Sequence, residues 1–329
     1  MGFISYNLNY YKQKIEYYEN NVLKENNKIE IKRLQKFLDD LKLEGYFNLC
    51  NKMEEQFSGI SRLKSIFQKN NIKPFNLPDV EFDKNNLIYD ETVELSSFID
   101  KLVSDSRKSK KLSNNHIIED LLSFTKWIGY NDNISYIFLL RDVFLPYLFY
   151  LDRGRNNIYP WIVGRRYLEW ISGKKNIDDD FRNYIFDALE NNCSNFEDFK
   201  EYVIPKIQLE LDNYKNIKFK LKNMLNNINK EKILVVESGV HGTIPLILMS
   251  IDSRVDFRMF TTVPYLNRIY SGRIFTDEFE KNMNFEFLYS QNMLMKFHSI
   301  KNQNFFVSKC TNKDVINESM SEIKRFLKY

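Results

Sequence analysis

Apolar residues at Ile117, Leu121, Phe124 and Ile128 recur at helical spacing, and Gly129 stands where that helix would close. From Tyr130 the texture changes, because short β-prone runs begin to alternate with helical patterns. "ISYIFLL", Ile134 to Leu140, predicts a strand; polar Arg141 and Asp142 follow, and "VFLPYLFYLD" predicts a helix that tolerates Pro146 in its first turn. "NIYPWIVGRR" predicts a second strand ending at Gly164. Residues 178 to 230 read as mostly helical, with Phe181, Tyr184, Ile185 and Leu189 on one face. "KILVVESGVHGTIPLILMSID" supplies another strand and helix, "VDFRMFTTV" another strand, and "QNFFVSK" a last strand before a C-terminal helix with Thr311 as its expected cap.

Strands alternating with helices predict an α/β fold with a mainly parallel sheet. Upstream, Leu34, Phe37, Leu38 and Leu41 predict a helix within residues 8 to 45, ending near Gly45. Pro74 and Pro78 break the stretch from Phe57 to Asp90, and "DKNNLIYDE" reads as a loop leading to another helix. "SRKSKKLSNN", Ser106 to Asn115, reads as a solvated linker, with a basic patch as the functional alternative. The expected organisation is a helical N-terminal domain over 1–110 and an α/β domain over 111–329 with a helical insertion at about 178–230.

Composition narrows the class. With 43% hydrophobic and 28% charged residues and only 10 Gly and 7 Pro, a largely disordered chain is excluded. A net charge of +4 from 48 basic and 44 acidic residues does not indicate nucleic acid, though it permits an anionic ligand. Cys50, Cys193 and Cys310 are dispersed and odd in number, which suggests neither a disulfide framework nor a thiolate metal site and fits a reducing compartment. No apolar run reaches the roughly 18 residues of a membrane span, and the N-terminus lacks a signal-peptide core, so a cytoplasmic protein is expected.

The candidate chemistry gathers on "ESGVHGT". In a parallel sheet a central strand is buried on both faces, which explains the continuous aliphatics Ile233 to Val236. Glu237 then emerges at the sheet's carboxyl edge, where open α/β folds bind ligands. Gly239 and Gly242 let the backbone approach a ligand, Thr243 is the expected N-cap, and the amides ahead of Ile244 and Pro245 favour an anion. Glu237 suits sugar hydroxyls or a magnesium ion, and Ser238, Val240 and His241 complete the turn, His241 as a phosphate donor, an acid/base or a polar turn residue. A ligand-free strand-to-helix turn would use similar residues. Arg141 and Asp142 share the same plan of strand, charged loop and helix, and Arg153, Arg155, Arg165 and Arg166 surround the next strand with forked donors suited to phosphate or to surface ion pairs.

"ILVVESGVHGTIP" resembles the phosphate-loop motif of the type I phosphoribosyltransferases, over about residues 130 to 265. The resemblance implies that Glu237 contacts ribose hydroxyls, that residues Ser238 to Thr243 hold the 5′-phosphate, and that Arg141 and Asp142 occupy the pyrophosphate loop. Arg155, Arg165 and Arg166 would meet the leaving group or phosphate. The implied reaction is glycosyl transfer at the anomeric carbon of a phosphorylated ribose, with pyrophosphate displaced or a ribosidic bond made or broken, and magnesium is the candidate cofactor. Two departures stand out: the family's second acid is Ser238 here, and its Thr-Gly-Thr ending is His241-Gly242-Thr243. A weaker resemblance is to sugar-modifying bacterial proteins that pair an "RDG"-type loop with a "D-x-G-x-x-G" turn. Alternatives are an S-adenosylmethionine-dependent methyltransferase, whose acid-and-glycine turn "VVESGVHG" also resembles, and a non-catalytic nucleotide-binding or assembly module. The N-terminal helices would cap the site edge or mediate association with a second copy or a partner protein.

Overall fold

The computed structural model describes residues 88–110, 112, 117–140, 143–175, 177–190, 193, 195–238, 242–260, 269–275 and 294–329. All belong to one compact unit formed by Phe82–Asp277 and Phe285–Tyr329. The helix expected within residues 8 to 45 and the irregular stretch before residue 88 lie outside the described residues.

Five parallel strands form the central sheet: β2 (Ile134–Leu139), β3 (Ile158–Trp161), β4 (Lys232–Ser238), β5 (Val255–Phe260) and β6 (Ile274–Phe275), in the order β3-β2-β4-β5-β6. The fold is therefore α/β. β4 lies in the middle, and Ile233 to Val236 are all buried, because neither face of a central parallel strand meets water. Edge strand β3 is shorter and carries Pro160, whose missing amide is tolerated only where a ladder bond is dispensable.

The helices divide between the two faces. Phe260 belongs to the face covered by α2 (Ile117–Ile128), since its ring meets Phe124 edge-on at 5.1 Å. α3 (Phe144–Asp152) covers the same face through Tyr147, 5.7 Å from Phe138. Phe257, an odd number of residues away along β5, points to the other face and meets Phe196 of α6 (Phe196–Asn213) at 5.8 Å. α8 (Thr243–Ile251) packs beside α6 on that face. Between β3 and β4 the chain makes α4 (Arg165–Ser172), α5 (Ile177–Glu190), α6 and α7 (Lys215–Asn226). Phe181 and Ile185 supply the buried face of α5.

A second sheet has the order β1-β8-β7, built from β1 (Tyr89–Glu94), β7 (Met295–Lys301) and β8 (Asn304–Cys310) in antiparallel pairs. Three sequence expectations change here. "QNFFVSK" is a strand, but of this sheet and not of the parallel one; "YDE" opens a strand instead of ending a loop; and β7 has no counterpart in the hydrophobic pattern. β7 and β8 are joined by Asn302 and Gln303, both at positive φ (47° and 69°), a two-residue hairpin turn made without glycine. α9 (Lys313–Leu327) is capped by Asn312, whose side chain accepts from the amides of Asp314 and Val315, and not by Thr311. β1 and α1 (Leu95–Lys108) belong to this unit, upstream of the boundary expected at residue 110. The expected linker begins inside α1, where Ser106 is buried and Arg107 pairs with Asp152 at 2.9 Å. Gly129 does close α2, with φ 69°.

Arg254 ties the amino edge of the sheet together. Its guanidinium donates to the carbonyls of Ile228 (2.8 Å), Lys230 (3.1 Å) and Leu225 (3.1 Å) and forks onto Asp252 (2.7 Å). The bond to Leu225 engages a carbonyl of the last turn of α7, and those to Ile228 and Lys230 hold the segment that leads into β4. The Arg254 hydrogen bonds hold the Asp252 carboxyl below its ordinary range. Arg254→Ala is expected to cost about 2–3 kcal/mol in urea unfolding at neutral pH, and Arg254→Lys to recover only part of it. A depressed carboxyl stabilises above its unfolded value, so the gap between wild type and variant should shrink as pH falls below about 4.

Candidate functional site

β2 and β4 are neighbours in parallel register, Phe138 facing Val236, so they end at the same edge of the sheet. The chain leaves β2 toward β3 through α3 on the Phe260 face, and leaves β4 toward β5 through α8 on the Phe257 face. Connections that part in opposite directions from adjacent strands open a crevice at their carboxyl ends. The two segments singled out in the sequence, 141–142 and 239–241, follow those strand ends. Arg141, Asp142, Gly239, Val240 and His241 themselves lie outside the described residues.

Three helices begin at this edge: α3 after Val143, α4 after Gly164 and α8 after Gly242. None has a side-chain cap or an acidic residue in its first turn, whereas α6 and α9 have both. Neither the cap residue nor the first turn of these helices supplies an acceptor for the first amides or a negative charge for the partial positive helix end. α3 and α8 each carry proline at the third helical position, Pro146 and Pro245, which confines the remaining donors to the residues nearest the loop. Thr243 is the first residue of α8 and not its cap; Gly242 takes that place at φ 69°, a left-handed conformation that favours glycine.

Glu237 stands at the end of β4, half-buried, with Oε2 shielded from solvent. Its neighbour is Tyr270, which packs edge-on against Phe199 and Phe257 at 5.3 Å each. Burial first, and then the negative charge of Glu237, push the Tyr270 hydroxyl well above its ordinary range. Tyr270 thus stays protonated and able to donate across the physiological range. A Cβ at Gly242 would meet Met259 Sδ at 3.6 Å and the Tyr270 hydroxyl at 3.8 Å, so the first residue behind the loop sits on this wall. Ser238 points to the opposite face, level with Phe260, and is 4% exposed. Tyr270 escaped the sequence reading because nothing in "NRIYSGR" distinguishes it, and it reaches Glu237 through tertiary packing across β5.

The arginines separate into two groups. Arg165 and Arg166 open α4 at the carboxyl edge and are exposed. Arg155 lies at the other end of the sheet, before β3, with its guanidinium 4.2 Å over the ring of Tyr130, which precedes β2. Arg153 stacks on Phe149 at 3.4 Å and donates to its carbonyl. The expectation that Arg155 contacts phosphate is corrected: α3 carries the chain back across the sheet before Arg153 and Arg155 are reached. Trp161 is buried and Trp127 stacks on Phe124, so both serve the core.

Among the described residues no three His, Cys, Asp or Glu side chains converge as a metal site, and no helix is long and apolar enough to cross a membrane. The chain matches no protein-family model, no curated protein and no solved structure. Gly242→Ala forces a side chain into the left-handed region and is expected to cost about 1–2 kcal/mol, read as a lowered thermal midpoint. Tyr270→Phe removes a buried hydroxyl beside a carboxylate; an ultraviolet pH titration should show one fewer tyrosine in the strongly alkaline, late-titrating class.

Proposed function

We propose that this chain is a phosphoribosyltransferase-like enzyme acting on a phosphorylated ribose or nucleotide, with the site in the crevice between the ends of β2 and β4. The observation that carries the reading is the adjacency of those two strands, with their connections parting to opposite faces and helix amino ends facing the same edge. The order of elements supports it: strand, helix, strand, arginine-led helix, helical stretch, strand, helix entered through Gly242, strand.

In the proposed reaction the bond from the anomeric carbon to pyrophosphate breaks, pyrophosphate leaves with the electron pair, and an acceptor nucleophile bonds that carbon. Glu237 orients the ribose hydroxyls, and Tyr270, whose hydroxyl keeps its proton, stands beside that carboxylate. The turn before α8 and its first amides grip the 5′-phosphate. The segment after β2, with Arg165 and Arg166, meets the pyrophosphate charge. A magnesium ion fits as a shared ligand, since it is commonly held by one or two carboxylates and the substrate's phosphates; Glu237 is the described carboxylate that would contribute. Buried thiols at Cys193 and Cys310 accord with a reducing, cytoplasmic setting.

One observation favours a second reading, a nucleotide-binding module without turnover. Position 238 offers a buried serine on the far face of the strand instead of a second carboxylate beside Glu237. The methyltransferase reading is weakened by placement, because the glycine turn follows the third strand of the parallel sheet in chain order and not the first.

Calorimetry with phosphoribosyl pyrophosphate, with and without magnesium, is expected to show binding. Glu237→Gln should weaken it about 10-fold or more, and Arg165→Ala with Arg166→Ala should do the same through lost charge-assisted contacts. Arg155→Ala, at the opposite edge, should leave it unchanged. Binding of S-adenosylmethionine but not of phosphoribosyl pyrophosphate would overturn the reading, and binding without pyrophosphate release toward any nucleobase tested would favour the module.

A further inference from the structure

We propose that the surface formed by α7, α4 and β7 binds single-stranded nucleic acid. α7 carries Lys215, Lys218, Lys220 and Lys222 and no acidic residue in its 12 residues. Its apolar stripe, Ile217, Leu221 and Leu225, is spent on the core. Phe219 nevertheless projects outward at 66% exposure, flanked in sequence by Lys218 and Lys220. Lys218 answers Asp212 at 2.6 Å, whereas the Lys220 ammonium lies 4.4 Å over the ring of Trp170 on α4. Trp170 is itself 43% exposed and braced by Phe297 of β7, 5.6 Å away.

The band continues along α4 and β7 to a second basic pair. Arg166 lies close enough to Lys296 for its charge, after burial, to lower that lysine's affinity for a proton. Arg166, Trp170 and Lys220 thus lie together along α4 and α7, with Phe219 beside Lys220 in sequence, while Lys296 leaves β7 on the face opposite Phe297 with its ammonium 3.6 Å over the ring of Tyr89. α7 alone extends ~18 Å, room for a short run of nucleotides. The net charge of the chain hides this surface because the compensating acids cluster on α5 and α6, including Asp180, Asp187, Glu197, Glu201 and Glu210.

The chemistry selects the partner. A phosphate backbone answers the lysines, and the rings offer the stacking platform that unpaired bases require. A membrane surface fits less well, since a helix lying on lipid needs a broad apolar face and α7 has buried its own against the protein. The proposal needs no substrate at the switch-point crevice, so its failure leaves the preceding reading standing.

The test is fluorescence anisotropy with a labelled twelve-residue oligothymidylate and the full chain. Binding is expected at 50 mM salt, weakening roughly 20- to 50-fold at 200 mM if three or four phosphates are neutralised. Lys220→Glu combined with Lys222→Glu should weaken it at least about 10-fold, and Phe219→Ala about 5-fold or more. Both sets of side chains are on the surface, so unchanged thermal melting is the accompanying control. No binding at 50 mM salt overturns the proposal, as does binding that both variants leave unaltered. So does cosedimentation with phosphatidylserine vesicles in the absence of any oligonucleotide binding.

Discussion

The pairing of β2 with β4 is the constraint on which the rest of the unit depends. Five consecutive residue pairs, Ile134 with Lys232 through Phe138 with Val236, lock two parallel strands whose sequence neighbours lie almost a hundred positions apart. The pair is held by burial: from Ile233 to Val236 and from Ser135 to Leu139 the side chains are shielded on both faces. It also fixes direction. With β3 on one side and β5 on the other, the chain must part at the strand ends, and the crevice follows from connectivity without any help from the loops.

Much of this was legible in the residues. Continuous aliphatics marked β4 as central, β2 stood out as "ISYIFLL", and the repeated plan of strand, polar turn and proline-bearing helix marked two loops of one kind. The place of Arg155 follows from connectivity and not from local pattern. In a β-α-β unit the helix returns the chain to the amino edge, so whatever follows α3 stands away from whatever follows β2. The second sheet was hidden for a different reason. β1 and β7 are largely half-exposed or exposed along their length, and the pairing partners of β1 are remote: Tyr89 faces Cys310. Local periodicity carries no trace of such contacts, nor of the approach of Tyr270 to Glu237.

Where the two faces of the sheet differ, the chemistry differs with them. Glu237 shares its face with Met259 and the aromatic wall around Tyr270, while Ser238 shares the other with Phe260 and Phe124. In the proposed reaction the single strand-end carboxylate would orient sugar hydroxyls, and the helix amino ends would hold phosphate. That division of labour is mostly positioning and fixed charge, which suits a reaction whose leaving group needs neutralising more than it needs a proton.

Hydrogen–deuterium exchange with and without phosphoribosyl pyrophosphate tests the shared crevice most directly. Peptides spanning 140–146 and 238–246 should both gain protection on binding, while a peptide spanning 153–158, at the opposite edge, should not change. Protection confined to one of the two strand-end segments, or appearing at 153–158 instead, would contradict a site formed between β2 and β4.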